Sequence, residues 1–410
     1  MAGKIKTRAP SKTKTLIFFI DAVRPDYIEN ESAPFLYSLK KKQTYLDVKS
    51  LLGFSSGIHP SIWTGKYQER HGFFLVYMHD PKNSPFKWIS SISFVPSKLR
   101  EYILASLKAP FYMTKINKKY FPAWYKQKIL SIPASIDPKN AGFFSTGSTA
   151  YPMDFFDILK KNGMDYSSQP DFDFVGTYGH GVGVQNWELT DKPVDFFFVY
   201  ETDPIAHYSG PRSHAIKNKM QEIDTKIKSI YSEAVREYGK ADIFVFSDHG
   251  MVDVKHTIDV KVIVENSGLT PIKDYVVFYD STMVRFWVNN EKAKKRIITL
   301  LSKIKHLTYL DDKLKAKYRI RFRTRKWGDL LFLASPGYRI FPDYFAPVRF
   351  NTKGMHGYWP EHPDSKGIFI TNAFKTAKKE ISVVDFMPTM LKAMGLEKEI
   401  PKKIDGKAVF

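Results

Sequence analysis

Residues 15–20 read TLIFFI, an unbroken apolar run with no polar alternation. Such a run fits a strand covered on both faces, as in a parallel sheet. Residues 195–200 (DFFFVY), 242–246 (DIFVF) and 368–370 (IFI) repeat the pattern. A different period lies between the second and third runs. After Ser213, the positions Ile216, Met220, Ile223, Ile227 and Ile230 recur at three- and four-residue intervals with charges filling the gaps. That spacing predicts an amphipathic helix lying on a sheet. Strands alternating with helices predict an α/β fold, a central and mostly parallel sheet sandwiched by helices.

Two stretches break this rhythm. Residues 80–174 are rich in Pro, aromatics and Lys and read as a cap or lid insertion. Residues 261–345 carry strand-like YVVFYD and MVRFWVN, then helical EKAKKRIITLLSKI, which predicts a small α+β insertion. The remainder, 13–79, 175–260 and 346–410, forms the expected catalytic core, preceded by a basic flexible tail at 1–12. A chain of 410 residues accommodates one large domain with insertions or two ordinary domains.

The apolar runs matter chemically because each of the first three ends in a potential ligand. TLIFFI runs into Asp21. DFFFVY runs into Glu201-Thr202-Asp203 with His207 four residues on. DIFVF runs into Ser247-Asp248-His249-Gly250. In open α/β sheets, ligands bind beyond the carboxyl ends of the strands, so these tips are candidates to converge. Each is ambiguous alone: an Asp after a strand also serves as a helix N-cap. Four-residue spacing puts Asp203 and His207 on one side of a helical turn. His356 sits in a loop flanked by Gly354 and Gly357, where a solvated histidine is equally ordinary.

The segment Leu52 to Gly65 adds a Ser55-Ser56 pair ahead of a predicted helix. A hydroxyl there sits where backbone N–H groups can hold phosphate oxygens. Simple helix capping is the alternative for either serine. There is no cysteine, which excludes disulfides, thiolate ligands and a cysteine nucleophile. Metals must then be held by His and carboxylate, a donor set that suits zinc or manganese. Three carboxylates and two divalent ions leave a site charge of about +1, attractive to a phosphate ester.

The formal net charge of +21 attracts polyanions, although a lysine-rich composition alone also accounts for it. Across 80–136, basic residues from Lys82 to Lys128 face only Asp80 and Glu101, with aromatics such as Trp88, Phe94, Tyr112 and Trp124 between them. That mixture suits peripheral contact with an anionic membrane; an ordinary lid packed on the core is the alternative. The run Arg319 to Trp327 alternates cations and aromatics, but a strand with one solvated basic face is the preferred reading over nucleic-acid binding. The run 16–20 is too short for a signal-peptide core or a membrane span, and no later segment reaches span length. The expectation is a cytoplasmic protein, peripheral at most to a membrane, with its oligomeric state left open.

Taken in order, these pieces resemble the alkaline phosphatase superfamily, and within it the type I phosphodiesterase / nucleotide pyrophosphatase family. The resemblance rests on five strings. They are Asp21-Ala-Val-Arg-Pro-Asp26, the Ser55 segment ending Thr64-Gly65 with His71-Gly72, Glu201-Thr202-Asp203 with His207, Ser247-Asp248-His249-Gly250-Met251, and His356-Gly357-Tyr358. It implies one zinc held by Asp203, His207 and His356, and a second held by Asp21, Ser55, Asp248 and His249. It also implies Ser55 as the nucleophile, in place of the family's usual Thr, with a covalent phosphoserine intermediate. Ser56, one position along, is the alternative nucleophile and otherwise a candidate substrate contact. The family's phosphate-binding Asn is missing from Phe73-Phe74-Leu75-Val76-Tyr77, and Tyr77 is the candidate substitute. The implied function is a two-metal phosphodiesterase or pyrophosphatase. A phosphomonoesterase or phosphotransferase on the same site, acting on a lipid- or glycan-linked phosphate, is the alternative. A non-catalytic binding protein is the third reading.

Overall fold

The computed structural model describes residues 13–84, 86–92, 94, 95, 99, 103, 143–146, 154–169, 183–341, 343 and 352–410. Among the described residues, seven strands hydrogen-bond into one sheet: β1 (Lys14–Ile20), β2 (Thr44–Lys49), β3 (Tyr166–Gln169), β4 (Val194–Val199), β5 (Ala241–Phe246), β6 (Gly367–Thr371) and β7 (Glu380–Ser382). Their order is β7-β2-β6-β5-β1-β4-β3. β1 lies between β4 and β5 and is parallel to both, with Ile20 opposite Val199 and Phe19 opposite Phe246. The pairs β3–β4 and β2–β7 are also parallel. β6 is antiparallel to β5 and β2. Its apolar run therefore reports burial on both faces, not strand direction.

The helices that matter to the site are α1 (Pro34–Lys42), α2 (Ser55–Thr64), α3 (Asp154–Lys161), α4 (Thr202–Ser209), α5 (His214–Tyr238) and α6 (Phe386–Ala393). Alternate side chains of β1 enter opposite layers. Leu16, Phe18 and Ile20 pack with Leu36 and Leu39 of α1 and with Ile216, Met220, Ile223, Ile227 and Ile230 of α5. Ile17 and Phe19 pack with Ile58, Ile62 and Trp63 of α2, Phe155 and Phe156 of α3, and Met387 and Met390 of α6. The predicted helix after Ser213 is α5, and Ser213 caps it by accepting the Ile216 N–H at 3.4 Å. The sandwich read from the apolar pattern is the observed fold.

The insertion boundaries differ from the expectation. Residues 154–169 belong to the core and not to the 80–174 cap. β3 pairs with β4, and Phe155 and Phe156 of α3 pack on Trp63 of α2. β3 escaped notice because it is a four-residue polar edge strand, YSSQ. The late insertion contains a separate antiparallel sheet of Tyr275–Tyr279, Met283–Val288, Leu330–Ala334 and Leu307–Tyr309, in that order, with a helix at Glu291–Leu301. It is stitched to the core where Tyr338–Phe341 pairs in parallel with His256–Asp259.

The run Arg319–Trp327 is not a strand. Arg319 takes a left-handed backbone (φ 56°), and Arg325–Trp327 form a single 3-10 turn. Trp327 and Phe322 pack against Phe74, while Arg319 and Arg325 pair with Glu69 and Asp329. The tail at 1–12 and most of 80–136, including the proposed membrane-facing stretch from Lys108 to Lys128, lie outside the described residues. Among the described residues, no helix is long and apolar enough to cross a membrane.

Candidate metal centre

Because β1, β4 and β5 are parallel and in register, their carboxyl ends share one edge of the sheet. Asp21 follows β1 directly. Asp248 and His249 follow β5 after Ser247. α4 begins three residues beyond the end of β4 and carries Asp203 and His207 one turn apart. The tips are tied together. The Thr202 hydroxyl donates to the backbone carbonyl of Asp21. Ser247 Oγ donates to Val23 O at 2.6 Å and accepts the Ile368 N–H at 3.0 Å. Ala22 takes a left-handed backbone (φ 56°), which brings its N–H to 3.4 Å from Asp248 Oδ1; a non-glycine residue held there stores of order 1 kcal/mol. His356 arrives from far along the chain, where Gly354–Met355 pairs antiparallel with Val252–Asp253.

The six side chains form two buried sets, Asp203-His207-His356 and Asp21-Asp248-His249, with the donor atoms of each set within 4.8 Å of one another. In the first, Asp203 Oδ1 lies 3.2 Å from His207 Nε2 and 3.6 Å from His356 Nε2. In the second, His249 Nε2 lies 3.5 Å from Asp21 Oδ1 and 3.3 Å from Asp248 Oδ2. The rings of His249 and His356 stack with centroids 3.9 Å apart, so the sets are neighbours. Ser55, at the start of α2, places Oγ 3.0 Å from His249 Nε2.

These groups are at odds over their protons. Burial drives the Asp21 carboxyl well above the usual carboxylate range, and the charges of Asp248 and Asp203 add to it. Burial also raises Asp248, but His249 and His59 outweigh it and bring Asp248 down to about 2. Burial lowers His207, yet Asp203 prevails and raises it. Burial, then the neighbouring His249, His207 and His59, hold His356 well below the usual imidazole range. Among the described residues, Asp21 Oδ1 and Asp203 Oδ1 are buried and meet no well-formed hydrogen bond, only the imidazoles of their own sets. Buried carboxylate oxygens crowded against imidazoles that compete for the same protons are what a divalent cation relieves. The all-nitrogen-and-oxygen donor set fits zinc, with manganese next.

Residues 15–359 match the family described as type I phosphodiesterase / nucleotide pyrophosphatase. This chain belongs to that family. Human ectonucleotide pyrophosphatase/phosphodiesterase family member 1 is 27% identical over 280 residues, covering 65% of this chain and 26% of the human protein. The chain thus spans about a quarter of that relative's length. The Bos taurus protein bis(5'-adenosyl)-triphosphatase ENPP4 is 23% identical over 404 residues, covering 94% of this chain and 79% of that one. The fold is shared with human ectonucleotide pyrophosphatase/phosphodiesterase 5 at TM-score 0.64 and 16% identity, covering 93% of this chain and 95% of that one. It is shared equally with the murine counterpart in complex with AMP, at TM-score 0.64 and 16% identity, covering 94% and 95%.

In this family member the two serines part company. Ser55 Oγ faces His249, whereas Ser56 Oγ is buried with no hydrogen-bond partner. Tyr77 lies away from these sets in a packing position: it is 4% exposed and its ring stacks on Phe278 at 5.1 Å, in a cluster with Phe86 and Phe144. The sequence reading missed His59, whose Nε2 lies 3.0 Å from Asp248 Oδ2. The signal was there in part. His59 is four residues after Ser55, so a helix from Ser55 puts both on one face.

Proposed function

We propose that this chain is a metal-dependent hydrolase of phosphodiester or pyrophosphate bonds, with Ser55 as its nucleophile. The observation that carries the reading is Ser55 Oγ at 3.0 Å from His249 Nε2, inside the Asp21-Asp248-His249 set and beside the Asp203-His207-His356 set. Two divalent ions held by these sets would supply Lewis-acid stabilisation of the serine alkoxide and of the charge developing on phosphate. Ser55 Oγ attacks phosphorus in line, and its proton passes by way of solvent to the leaving oxygen. The bond from phosphorus to the leaving oxygen breaks, and a phosphoserine remains. Water then attacks phosphorus, which restores the Ser55 hydroxyl and releases the phosphate product. His59, from the next turn of α2, holds Asp248 in place while Ser55 moves through these steps.

A nucleotide-type substrate is supported by the relatives, one named a bis(5'-adenosyl)-triphosphatase and one seen in complex with AMP. The absence of an amide donor across Phe73–Tyr77 is what keeps the monoester reading alive. A product-resolved screen separates the two. Zinc- or manganese-loaded protein is given dinucleotide polyphosphates, aryl nucleotide diesters and aryl monophosphates. Diester and pyrophosphate cleavage with retained configuration at phosphorus, in protein holding about two metal equivalents, is the expected result. Inversion would mean direct attack by water. Turnover of monoesters alone would overturn the diesterase assignment.

A further inference from the structure

The three histidines of the metal centre are not supported alike. His207 and His249 each direct Nδ1 at a backbone carbonyl, Gly354 O at 2.7 Å and Gly250 O at 2.9 Å. An imidazole that offers Nε2 to a metal carries its proton on Nδ1, and that N–H needs an acceptor to fix tautomer and ring orientation. Among the described residues His356 has none: its Nδ1 is buried and meets no hydrogen-bond partner. Two hydroxyls share that condition. Ser50 Oγ, just after β2, and Ser365 Oγ, just before β6, are buried and without partners. Ser50, Ser365 and His356 all line one small cavity, which His249 and Tyr358 also border. The cavity offers ≈ 10 Å³ to a water-sized occupant, room for about one molecule. Buried polar groups are almost always satisfied, by protein or by ordered water. Three residues that each carry an orphaned polar atom line one water-sized space, and a single bound water reconciles them.

We propose that this cavity is a water site that completes the outer shell of His356. The water accepts the Nδ1–H of His356 and donates to the Oγ atoms of Ser50 and Ser365. Ser50 and Ser365 are thus positioning residues: they act on the metal through the water and the ring, and touch neither substrate nor metal. The water supplies for His356 what Gly354 O and Gly250 O supply for the other two ligands. The assignment rests on the metal-dependent reading above.

The test compares native protein with Ser50→Ala, Ser365→Ala, the double variant and Ser365→Thr, which keeps a hydroxyl. Chelator competition measures zinc affinity at each of the two sites. The double variant should lose about tenfold or more at the site containing His356, the usual size of an outer-shell effect, with the Asp21-Asp248-His249 site unchanged. Ser365→Thr should stay near native. Proton–nitrogen spectra of histidine-labelled, zinc-loaded protein give a readout that ordinary destabilisation would not move. In native protein the His356 Nδ1–H should be slow to exchange, and in the double variant it should exchange fast. An unchanged affinity and an unchanged Nδ1–H in a folded double variant would overturn the water site alone. A native Nδ1–H that exchanges freely would overturn it without any variant. Native protein that binds no metal at His356 would remove both this inference and the reading beneath it.

Discussion

Asp21 and the Asp248-His249 pair leave the central strands β1 and β5 within three residues, whereas Asp203, His207 and His356 hang from the short helix α4 and a loop that returns from far along the chain. The first half of the candidate metal centre inherits the rigidity of the sheet. It also holds Ser55 and the supporting His59. The second half depends on a close approach between Gly354 and α4, and on a histidine whose Nδ1 meets no acceptor among the described residues. The same donor chemistry is therefore held by two different kinds of scaffold. The half that performs the attack should be hard to displace and the other easy.

The sharpest separation comes from the nucleophile. Ser55→Ala should lower kcat by about three orders of magnitude or more, since a covalent route loses its attacking atom. Both metals should stay, because all six His and Asp donors remain. Elemental analysis alongside steady-state rates checks both halves of this statement. Residual turnover within tenfold of native would assign the attack elsewhere.

The next substitution aims at the other half. A Cβ on Gly354 would lie 2.5 Å from Ala206 O, 2.9 Å from Met251 Cγ and 3.1 Å from Pro211 Cδ. Something must shift, and Gly354 also supplies the carbonyl that orients His207. Gly354→Ala should weaken the metal at Asp203-His207-His356 by about ten- to a hundredfold and leave the Asp21 site loaded. Loss of both metals together would show that the halves are not independent.

His59 tests the first half from behind. His59→Asn removes the 3.0 Å contact to Asp248. The expected cost is about tenfold in rate or in metal affinity, with the effect confined to the Asp21-Asp248-His249 site. A variant with native affinity at both sites and a native rate would reduce His59 to a packing residue against Phe19 and Phe198.

The same contrast explains what could be read from the chain. A strand buried on both faces leaves an unbroken apolar run, and its carboxyl end leaves the next polar residue at the sheet edge. Asp21, Asp203 and Asp248 were legible for that reason, and His207 followed from helical spacing. His356 carried no local signal, because a glycine-flanked loop has no period; it entered only because the site wanted one more nitrogen donor and through family resemblance. His59 needed a partner 189 residues away, Asp248 Oδ2, and no local pattern encodes such a pairing. β3 was hidden by its polar sequence, and the Arg319–Trp327 alternation misled because one left-handed residue breaks a strand without changing its composition.

The smallest effect concerns the floor beneath the nucleophile helix, and at neutral pH it should vanish. His71 Nδ1 accepts the Phe73 N–H at 3.2 Å, and its Nε2 lies 2.8 Å from Ser61 Oγ of α2. A ring that accepts at Nδ1 and donates from Nε2 is neutral, and protonation would abolish the acceptor. Burial, then the charge of Lys66, accordingly lower its pKa from 6.5 to about 4. The folded pKa lies below the unfolded one, so the unfolded chain binds the proton first. The neutral ring costs nothing above pH 6.5, and stability falls as pH drops from there to about 4. The full shift corresponds to roughly 3 kcal/mol, and partial solvent access reduces this to about 1–2 kcal/mol. Denaturant unfolding of metal-free native protein and His71→Gln at pH 7.5 and pH 4.5 isolates the term, because every other titrating group is common to both. Native protein should lose more stability than the variant across that interval. Equal losses, or a His71 resonance that titrates near 6.5, would mean that the ring opens to solvent. In that case the helix carrying Ser55 is less firmly seated than the sheet-built half of the site implies.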